Sequence, residues 1–517
     1  MDSINDCLTR QFGSAFVTDA DRLLPYEEPE RGTPGRASGA VVARTEDQVQ
    51  QLLQFANRQG LGVVISAGRT GLVEAQCPRD EMVLSLERLN RPLAFHPPQG
   101  EPLIFESGQH LEQCAERLFA QWEASARADW RLARLEVEAG MSIDAVNALL
   151  EPIGLMFPMA LGSSAAATVG ACVANASAGA NAVCYGTAAQ MVHSVDGFWA
   201  NAEPAHCAAR PRPDVMAGAP LIDSTRIQPA NGLIATQGIF GVITRLCLKL
   251  APIPKSREAA LIPVKDMPAA MAIFSALTSV FGNDVEEFEF ISASCIDALH
   301  QAYGHPPRLP FDAPVDAPYF ILMQLKSVHE DDELASRLYE FLSADAGIAD
   351  EHIGYAPLTA LKQIRHGITE ASNIRMRQLG GGRLSFDTAT AVDRFGDYLQ
   401  AVGEAVQSLS PELQLLAFGH AGVGGAHLHV LGSRAQPVSD FKARLIEQVF
   451  DITESFGGTF SAEHGVGPKW AKAFLARRSS RRIEQLIQAK LRHDPNLVLQ
   501  RRSFGLARAI GERRRGS

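Results

Sequence analysis

Ala67-Gly68-Arg69-Thr70-Gly71-Leu72 follows almost directly on the apolar run Leu61-Gly62-Val63-Val64-Ile65. That pairing of a buried strand with a small-residue loop decides how the N-terminal half of the chain is read. Upstream, Thr45 and Gln48 form a capping box, and Val49, Leu52, Leu53 and Ala56 recur at helical spacing toward Gln59-Gly60. The pattern predicts a helix of about 15 residues. A helix and a strand thus deliver a loop with few side chains to block a ligand, and its backbone N–H groups can hold phosphate oxygens without a lysine. The same glycines also serve plain turn chemistry, so this loop by itself leaves both readings open.

Two further stretches share the character of the first. Leu161-Gly162-Ser163-Ser164-Ala165-Ala166-Ala167-Thr168-Val169-Gly170 continues through Asn175-Ala176-Ser177-Ala178-Gly179 to Tyr185-Gly186. Nearly every residue is small, which lets main chain approach main chain, or a flat extended cofactor, closely. Thr236-Gln237-Gly238-Ile239-Phe240-Gly241-Val242-Ile243-Thr244 places two glycines ahead of a strand expected over Val242 to Leu250. Three such loops in one N-terminal region weigh together toward a bound ligand.

Ala251-Pro252-Ile253-Pro254-Lys255-Ser256 marks a domain boundary, because its prolines end a strand and resist helix. Beyond it, strands expected over Glu286–Ile291, Tyr319–Leu325 and Arg383–Thr388 alternate with amphipathic helices over Ser294–Tyr303, Asp332–Leu342 and Asp393–Val406. This predicts an α+β layer with helices on one face of a sheet. From about Glu412 come a strand, a histidine loop, a second strand, a helix over Ser439–Phe456 and a final loop. The expected division is 1–253, 256–410 and 411–517.

The two late loops carry the chemistry. Gly419-His420-Ala421-Gly422-Val423-Gly424-Gly425-Ala426-His427 and Ser461-Ala462-Glu463-His464-Gly465-Val466-Gly467 offer two histidines and a glutamate, with an imidazole left over beside them. Such N/O donors suit a divalent metal with open coordination positions. His429 competes, since His427 and His429 would project from one face of a strand.

Composition excludes several classes. Hydrophobic content of 46% with 21% charged residues is that of a globular enzyme, and no apolar stretch has membrane-spanning length. The start, Met1-Asp2-Ser3-Ile4-Asn5-Asp6, lacks the basic and apolar parts of a signal peptide, which points to a cytoplasmic, reducing location. Eight scattered cysteines without a CxxC argue against an iron–sulfur cluster or a disulfide framework. From Lys469 onward, 14 Lys/Arg face only Glu484, Asp494 and Glu512, a net +11, which leaves −21 for the rest of a chain of −10. The acidic body repels nucleic acid. The basic end could touch a redox partner or lie peripherally at the inner face of a membrane, or it is simply a solvated terminus.

The order of these parts resembles the FAD-dependent D-2-hydroxyacid dehydrogenases (the D-lactate, glycolate and D-2-hydroxyglutarate group) of the vanillyl-alcohol oxidase / p-cresol methylhydroxylase superfamily, from about Phe12 to Leu499. Gly68-Arg69-Thr70-Gly71-Leu72 sits where that family has its first pyrophosphate loop, followed by the similar Leu84-Ser85-Leu86-Glu87-Arg88-Leu89-Asn90. Gly162, Ser163, Thr168, Gly170, Asn175, Gly179, Tyr185 and Gly186 fall in its second flavin-binding region, and Gly238, Gly241 and Val242 in its third. Asp494-Pro495-Asn496 is similar to its near-terminal signature. The resemblance implies an α+β chain with a two-part FAD-binding domain of the p-cresol methylhydroxylase type. An α+β substrate domain with an antiparallel sheet and a mainly helical C-terminal segment would follow.

It also implies roles. His420, His427 and Glu463 would ligate a divalent metal, zinc or manganese, and His464 would be the acid/base. Arg365, with Thr369 one helical turn on, would hold the substrate carboxylate, a task suited to the planar fork of arginine. The implied reaction oxidises a small D-2-hydroxy acid to the 2-oxo acid. The metal would stabilise the developing alkoxide, His464 would take the proton and flavin N5 the hydride. Electrons would pass to a quinone, a cytochrome or an electron-transfer flavoprotein, and a homodimer fits the family.

The chain departs from the family pattern at several places. Val423 and Gly425 stand where the family has aspartate and asparagine, and Ser385, with Arg383 nearby, stands where it has a substrate-contacting lysine. Ile65, Ala67, Glu74, Ala171 and Cys172 occupy places where it prefers proline, glycine or asparagine. These departures motivate two other readings: a flavoprotein that has become a binding or electron-transfer subunit, or a related oxidase that uses oxygen.

Overall fold

The computed structural model describes residues 3–30, 32–124, 130–208, 232–305, 307–313, 315–331 and 333–516. The chain forms two compact units. Met1–Ala178, Thr187–Ile253 and His464–Ser517 make unit 1, and Gly179–Gly186 with Pro254–Glu463 make unit 2. The stretch from 411, expected as a separate segment, is therefore shared between them, with the crossing at the Glu463–His464 bond.

Unit 1 contains two sheets. Strands β1 (Phe16–Val17), β2 (Gly39–Val42), β3 (Val63–Ser66) and β4 (Met82–Ser85) form the first, in the order β1-β2-β4-β3, with β2, β4 and β3 parallel. The predicted helix spans Glu46–Gln59, with the Thr45 hydroxyl accepting the Gln48 N–H and Gly60 closing it in the left-handed region. Val49, Leu52, Leu53 and Ala56 bury one stripe against Val41, Val63 and Leu84, which is why the apolar spacing and the continuous apolar run specify each other.

The second sheet uses β5 (Pro92–His96), β6 (Leu103–Ile104), β7 (Arg134–Glu138), β9 (Val192–Trp199), β10 (Pro204–Ala208) and β11 (Gly241–Lys249), all antiparallel in the order β10-β9-β11-β7-β5-β6. Two short strands, β8 (Leu155–Met156) and β12 (Ala251–Pro252), pair beside it. The C-terminal stretch returns to the first sheet, where the Val63 N–H donates to Val498 and the Gln500 N–H to Val63.

Unit 2 is built on one antiparallel sheet. Its strands are β13 (Ser256–Val264), β14 (Val285–Ser292), β15 (Tyr319–Ser327), β16 (Gly380–Ala389), β17 (Gln414–Gly419) and β18 (Gly425–Ser433), in the order β13-β15-β14-β17-β18-β16. The expectation of helices on one face is corrected here, because both faces are covered. Ile291 packs with residues of the helices Ala293–Tyr303 and Leu358–Leu379. On the opposite face Phe288 meets Phe274 of the helix Met267–Phe281, and Phe290 meets Phe395 of Phe395–Leu409. Accordingly every residue of β14 is buried, and its glutamates must find partners inside the protein.

Lys362 and Arg365 lie on one face of the helix Leu358–Leu379, and Glu287 and Glu289 on one face of β14. The pairs meet as Lys362 Nζ–Glu287 Oε1 at 2.9 Å and Arg365 Nε–Glu289 Oε2 at 2.6 Å, fixing the helix in register on the strand. Burial pushes the Glu287 carboxyl up, with Lys362 working against it.

Candidate functional site

In unit 1 the three small-residue loops converge. Gly68 lies so close to the second loop that a Cβ there would come within 2.0 Å of the Ala166 carbonyl oxygen. Any larger residue would force the loops apart. In the third loop Gly238 abuts Ile65 of β3, and the Ala235 and Gln237 N–H groups donate to Val173 and Ala174. Those carbonyls belong to the short helix Val169–Asn175, which Gly170 seats against Ala139. Gly241 lies against the Phe198 carbonyl and Val242 pairs with Phe198.

Not every expected cofactor residue presents itself alike. The Arg69 guanidinium is committed to Glu87 at 2.7 Å and lies over the Tyr26 ring, so that side chain braces the loop. Its backbone, at φ +60°, does turn the loop. Gly71 faces the Gln76 side chain, whereas nothing crowds Gly162. Thr70 and Leu72 are half-buried, Ser163 is exposed, and the Ser163 carbonyl accepts the N–H groups of Ala166 and Ala167 to close the second loop into a turn. Gly179, Tyr185 and Gly186 pack within unit 2, where Lys326 Nζ lies 5.3 Å from the Tyr185 ring centroid.

Two hydroxyls test whether a cofactor fits. Ser66 Oγ, at the end of β3, and Thr168 Oγ1, at the start of the helix Val169–Asn175, are buried and have no hydrogen-bond partner. A buried hydroxyl without a partner costs about 1–3 kcal/mol, and a ligand rich in acceptors would remove that cost. The converged loops and these hydroxyls fit a phosphate-bearing cofactor. Sequence reasoning singled out Thr168 but missed Ser66, because a serine ending a strand carries no distinctive pattern.

The metal-ligand candidates come together in unit 2. His420 follows β17 directly and opens the short turn Ala421–Val423. Gly424 reverses the chain at φ +70°, in a space where a Cβ would strike the Thr390 carbonyl. His427 then lies on β18, in register with Phe418 and Asp387. The chain from Thr459 runs along β16, and the Ala462 and Glu463 N–H groups donate to the Asp387 carbonyl (3.2 Å) and carboxylate (2.9 Å). Glu463 thereby reaches both imidazoles: His420 Nε2 at 3.2 Å and His427 Nε2 at 3.9 Å. Donor atoms of all three lie within 4.8 Å of one another.

Behind this set stand two carboxylates that the sequence did not reveal. Glu289 binds His420 Nδ1 through one oxygen and Arg365 through the other, and Asp387 lies 4.0 Å from His427 Nδ1. Acidic residues within the apolar strand Val285–Ser292 were the available signal for Glu289. His429, the reserve ligand, instead contacts Ser372 Oγ at 2.9 Å through Nδ1.

The electrostatics follow from burial. Three carboxylates, Glu289, Asp387 and Glu463, lie close around the two imidazoles, and Arg365 pairs with Glu289, a concentration of negative charge that suits a divalent cation. Without such an ion, protons take part of the role. Burial opposes charge on His420, but Glu289 and Glu463 outweigh it and raise its pKa to about 9. Burial pushes Glu463 up to about 7, with His420 working against it and Asp387 adding to it. Glu289 is held down at about 2, where His420 and Arg365 overcome the opposing effect of burial. The donor set and its charge both fit a divalent metal.

Comparison with known proteins agrees with both halves. Residues 37–124 and 127–208 match the FAD binding domain family, and residues 253–503 match the family described as FAD linked oxidases, C-terminal domain. A D-2-hydroxyglutarate dehydrogenase of Xanthomonas citri pv. viticola is 25% identical over 476 residues, covering 91% of this chain and 89% of that protein. The mitochondrial D-2-hydroxyglutarate dehydrogenase of Danio rerio is 23% identical, with 93% and 81% covered. Among solved structures, p-cresol methylhydroxylase with substrate bound superposes with a TM-score of 0.64 at 14% identity, covering 97% of this chain and 96% of that one, a likeness of fold. The order of the two matched domains and the relatives aligned over nine-tenths of the chain lead to one conclusion: the chain belongs to the FAD-linked oxidases, in the FAD-dependent D-2-hydroxyacid dehydrogenase family.

Proposed function

We propose that this flavoenzyme oxidises a small D-2-hydroxy acid, of the lactate, glycolate or 2-hydroxyglutarate class, to the 2-oxo acid with the help of a divalent metal. The observation that carries this reading is the convergence of buried His420 with half-buried His427 and Glu463, whose donor atoms lie within 4.8 Å of one another. Relatives named D-2-hydroxyglutarate dehydrogenases support the substrate class. When bound, FAD supplies the electron acceptor and the metal supplies positive charge near the substrate oxygens.

The residues of the chain do the rest. His420, His427 and Glu463 hold the ion, and the Nη edge of Arg365 offers two donors to the substrate carboxylate. Thr369, one turn further along the helix, adds a hydroxyl on the same face. His464, next in the chain after Glu463, takes the hydroxyl proton from the substrate with a neutral imidazole. The loops at Gly68–Leu72, Gly162–Asn175 and Gly238–Val242 hold FAD. Electrons leave to a quinone, a cytochrome or an electron-transfer flavoprotein. The basic helix Leu506–Gly516 is a surface for such a partner or for an anionic membrane. No helix among the described residues is long and apolar enough to cross a membrane.

Anaerobic bleaching of the flavin by a panel of D- and L-2-hydroxy acids, with metal content measured on the same sample, tests the proposal. D-acids should bleach it and L-acids should not. His464→Ala should slow bleaching by about 10²–10⁴-fold while FAD and metal stay bound, and an unchanged rate would remove His464 from its role.

A further inference from the structure

We infer that Glu289 is a positioning residue that locks the metal-ligand histidine and the substrate-anchoring arginine into one rigid unit, so that Arg365 acts on the metal site as well as on the substrate. The inference rests on the metal-dependent reading above and extends it to how the two anchors keep their spacing.

The geometry is specific. β14 and β17 pair antiparallel, with Phe290 opposite Gly419 and Ile291 opposite Phe418. One further step in that register brings Glu289 to His420, and the two side chains are in direct contact through Oε1 and Nδ1. The second oxygen of Glu289 accepts from Arg365 Nε at 2.6 Å. The Glu289 side chain is only 2% exposed, so water cannot substitute for either contact. With Nδ1 occupied, the ring can turn only Nε2 toward Glu463, which is the nitrogen found there. A carboxylate behind a ligand imidazole fixes its tautomer and orientation and raises its basicity.

Arg365 reaches the second ligand too. Its guanidinium lies 4.7 Å from the centroid of the Phe418 ring, and that ring lies 5.5 Å from His427 and opposite it in the β17–β18 register. An arginine that served the substrate alone would need neither contact. Displacing it would leave Glu289 with one partner and Phe418 without its cover, and both histidines would be less well ordered before substrate arrives.

The experiment is metal binding by the full-length, FAD-loaded protein in the absence of substrate. Zinc affinity is measured by competition with a chromophoric chelator, and the coordination sphere by the visible spectrum of added cobalt(II). Glu289→Gln should weaken zinc binding by about 10–100-fold and alter the cobalt spectrum. Arg365→Gln should weaken zinc binding in the same direction although no substrate is present. Lys362→Met breaks the neighbouring ion pair on the same helix and strand, and it should leave zinc affinity within about twofold of the parent, which separates general loosening from positioning.

If the parent protein binds neither zinc nor cobalt, the metal reading itself fails. If the parent binds and both Glu289→Gln and Arg365→Gln bind equally well with the parent spectrum, only the positioning role is overturned. Lys362→Met weakening zinc as much as Glu289→Gln would likewise overturn it. Should Glu289→Gln not fold, Arg365→Gln carries the same test.

Discussion

Each unit buries a cluster of charges, and the two clusters are built on opposite terms. In unit 1, Lys490 Nζ donates to Asp494 at 2.6 Å, to the Ile239 carbonyl at 2.5 Å and to the Leu499 carbonyl at 2.8 Å. Asp494 in turn accepts the N–H groups of Val498 and Leu499. One cation meets one anion, and each of the three ammonium protons has an acceptor. In unit 2, Glu289, Asp387 and Glu463 gather around His420 and His427, and Arg365 pairs with Glu289. The first cluster is complete and ties the C-terminal stretch to the third glycine loop. The second, on the metal-dependent reading proposed above, takes a divalent cation as its balance. The balance of charge, more than burial alone, distinguishes a buried ion pair that serves the fold from a cluster suited to chemistry.

This contrast can be broken experimentally. The largest effect should come from stripping the metal. Dialysis against a strong chelator should reduce turnover of a D-2-hydroxy acid by about three orders of magnitude or more, with recovery on adding zinc or manganese, while the flavin absorbance of unit 1 persists. Full activity in metal-free protein would end the comparison. Next, Lys490→Met should cost about 3–5 kcal/mol in urea unfolding because it leaves Asp494 buried without its partner. Metal content at low denaturant should not change, and a drop in zinc stoichiometry would show that the clusters are not separable.

A smaller effect concerns pH. In metal-free protein His420 holds a proton up to about pH 9 and Glu463 up to about 7. A metal must displace the His420 proton below pH 9 and both protons below pH 7. Apparent zinc affinity should therefore rise about tenfold per pH unit between 7 and 9, and more steeply below 7, with proton release seen in weakly buffered titrations. A flat profile would contradict the protonation of these groups. The smallest effect is expected at Thr168. Its hydroxyl lacks a partner, so Thr168→Val should raise the stability of FAD-free protein by about 1 kcal/mol yet weaken FAD binding by several-fold, the worth of about one hydrogen bond. Equal FAD affinity, measured by fluorescence titration, would remove this hydroxyl from the cradle.

Several parts of this molecule were legible because they are local. The helix Glu46–Gln59 carries its own cap, apolar stripe and terminal glycine, and it begins within a residue of where Thr45 places it. The strand expected over Val242 to Leu250 spans Gly241–Lys249, beginning on the second of its two glycines, and the arginine and threonine spaced by four do lie on one helix, Leu358–Leu379. The glycine loops were visible as small-residue runs, and the two histidine and glutamate segments as concentrations of donors. Where the reading failed, the missing information was long-range. Alternation along β14 resembles a sheet with one open face, and only the packing of Phe274 and Phe395 against Phe288 and Phe290 shows that both faces are covered. Nor does any local pattern show that Glu87 and Tyr26 hold the guanidinium of Arg69.

The amino-acid sequence by itself determined the kinds of element, the three loops and the donor types, because caps, periodicity and glycine content act over a few residues. Only the tertiary structure decided which charges would share a buried space. Glu289 meets His420 and Arg365 across separations of 131 and 76 residues, through strand register and helix placement that no local pattern encodes. The strength of those charges on one another depends on how little water is left around them, and that is settled only when the sheet and its helices close.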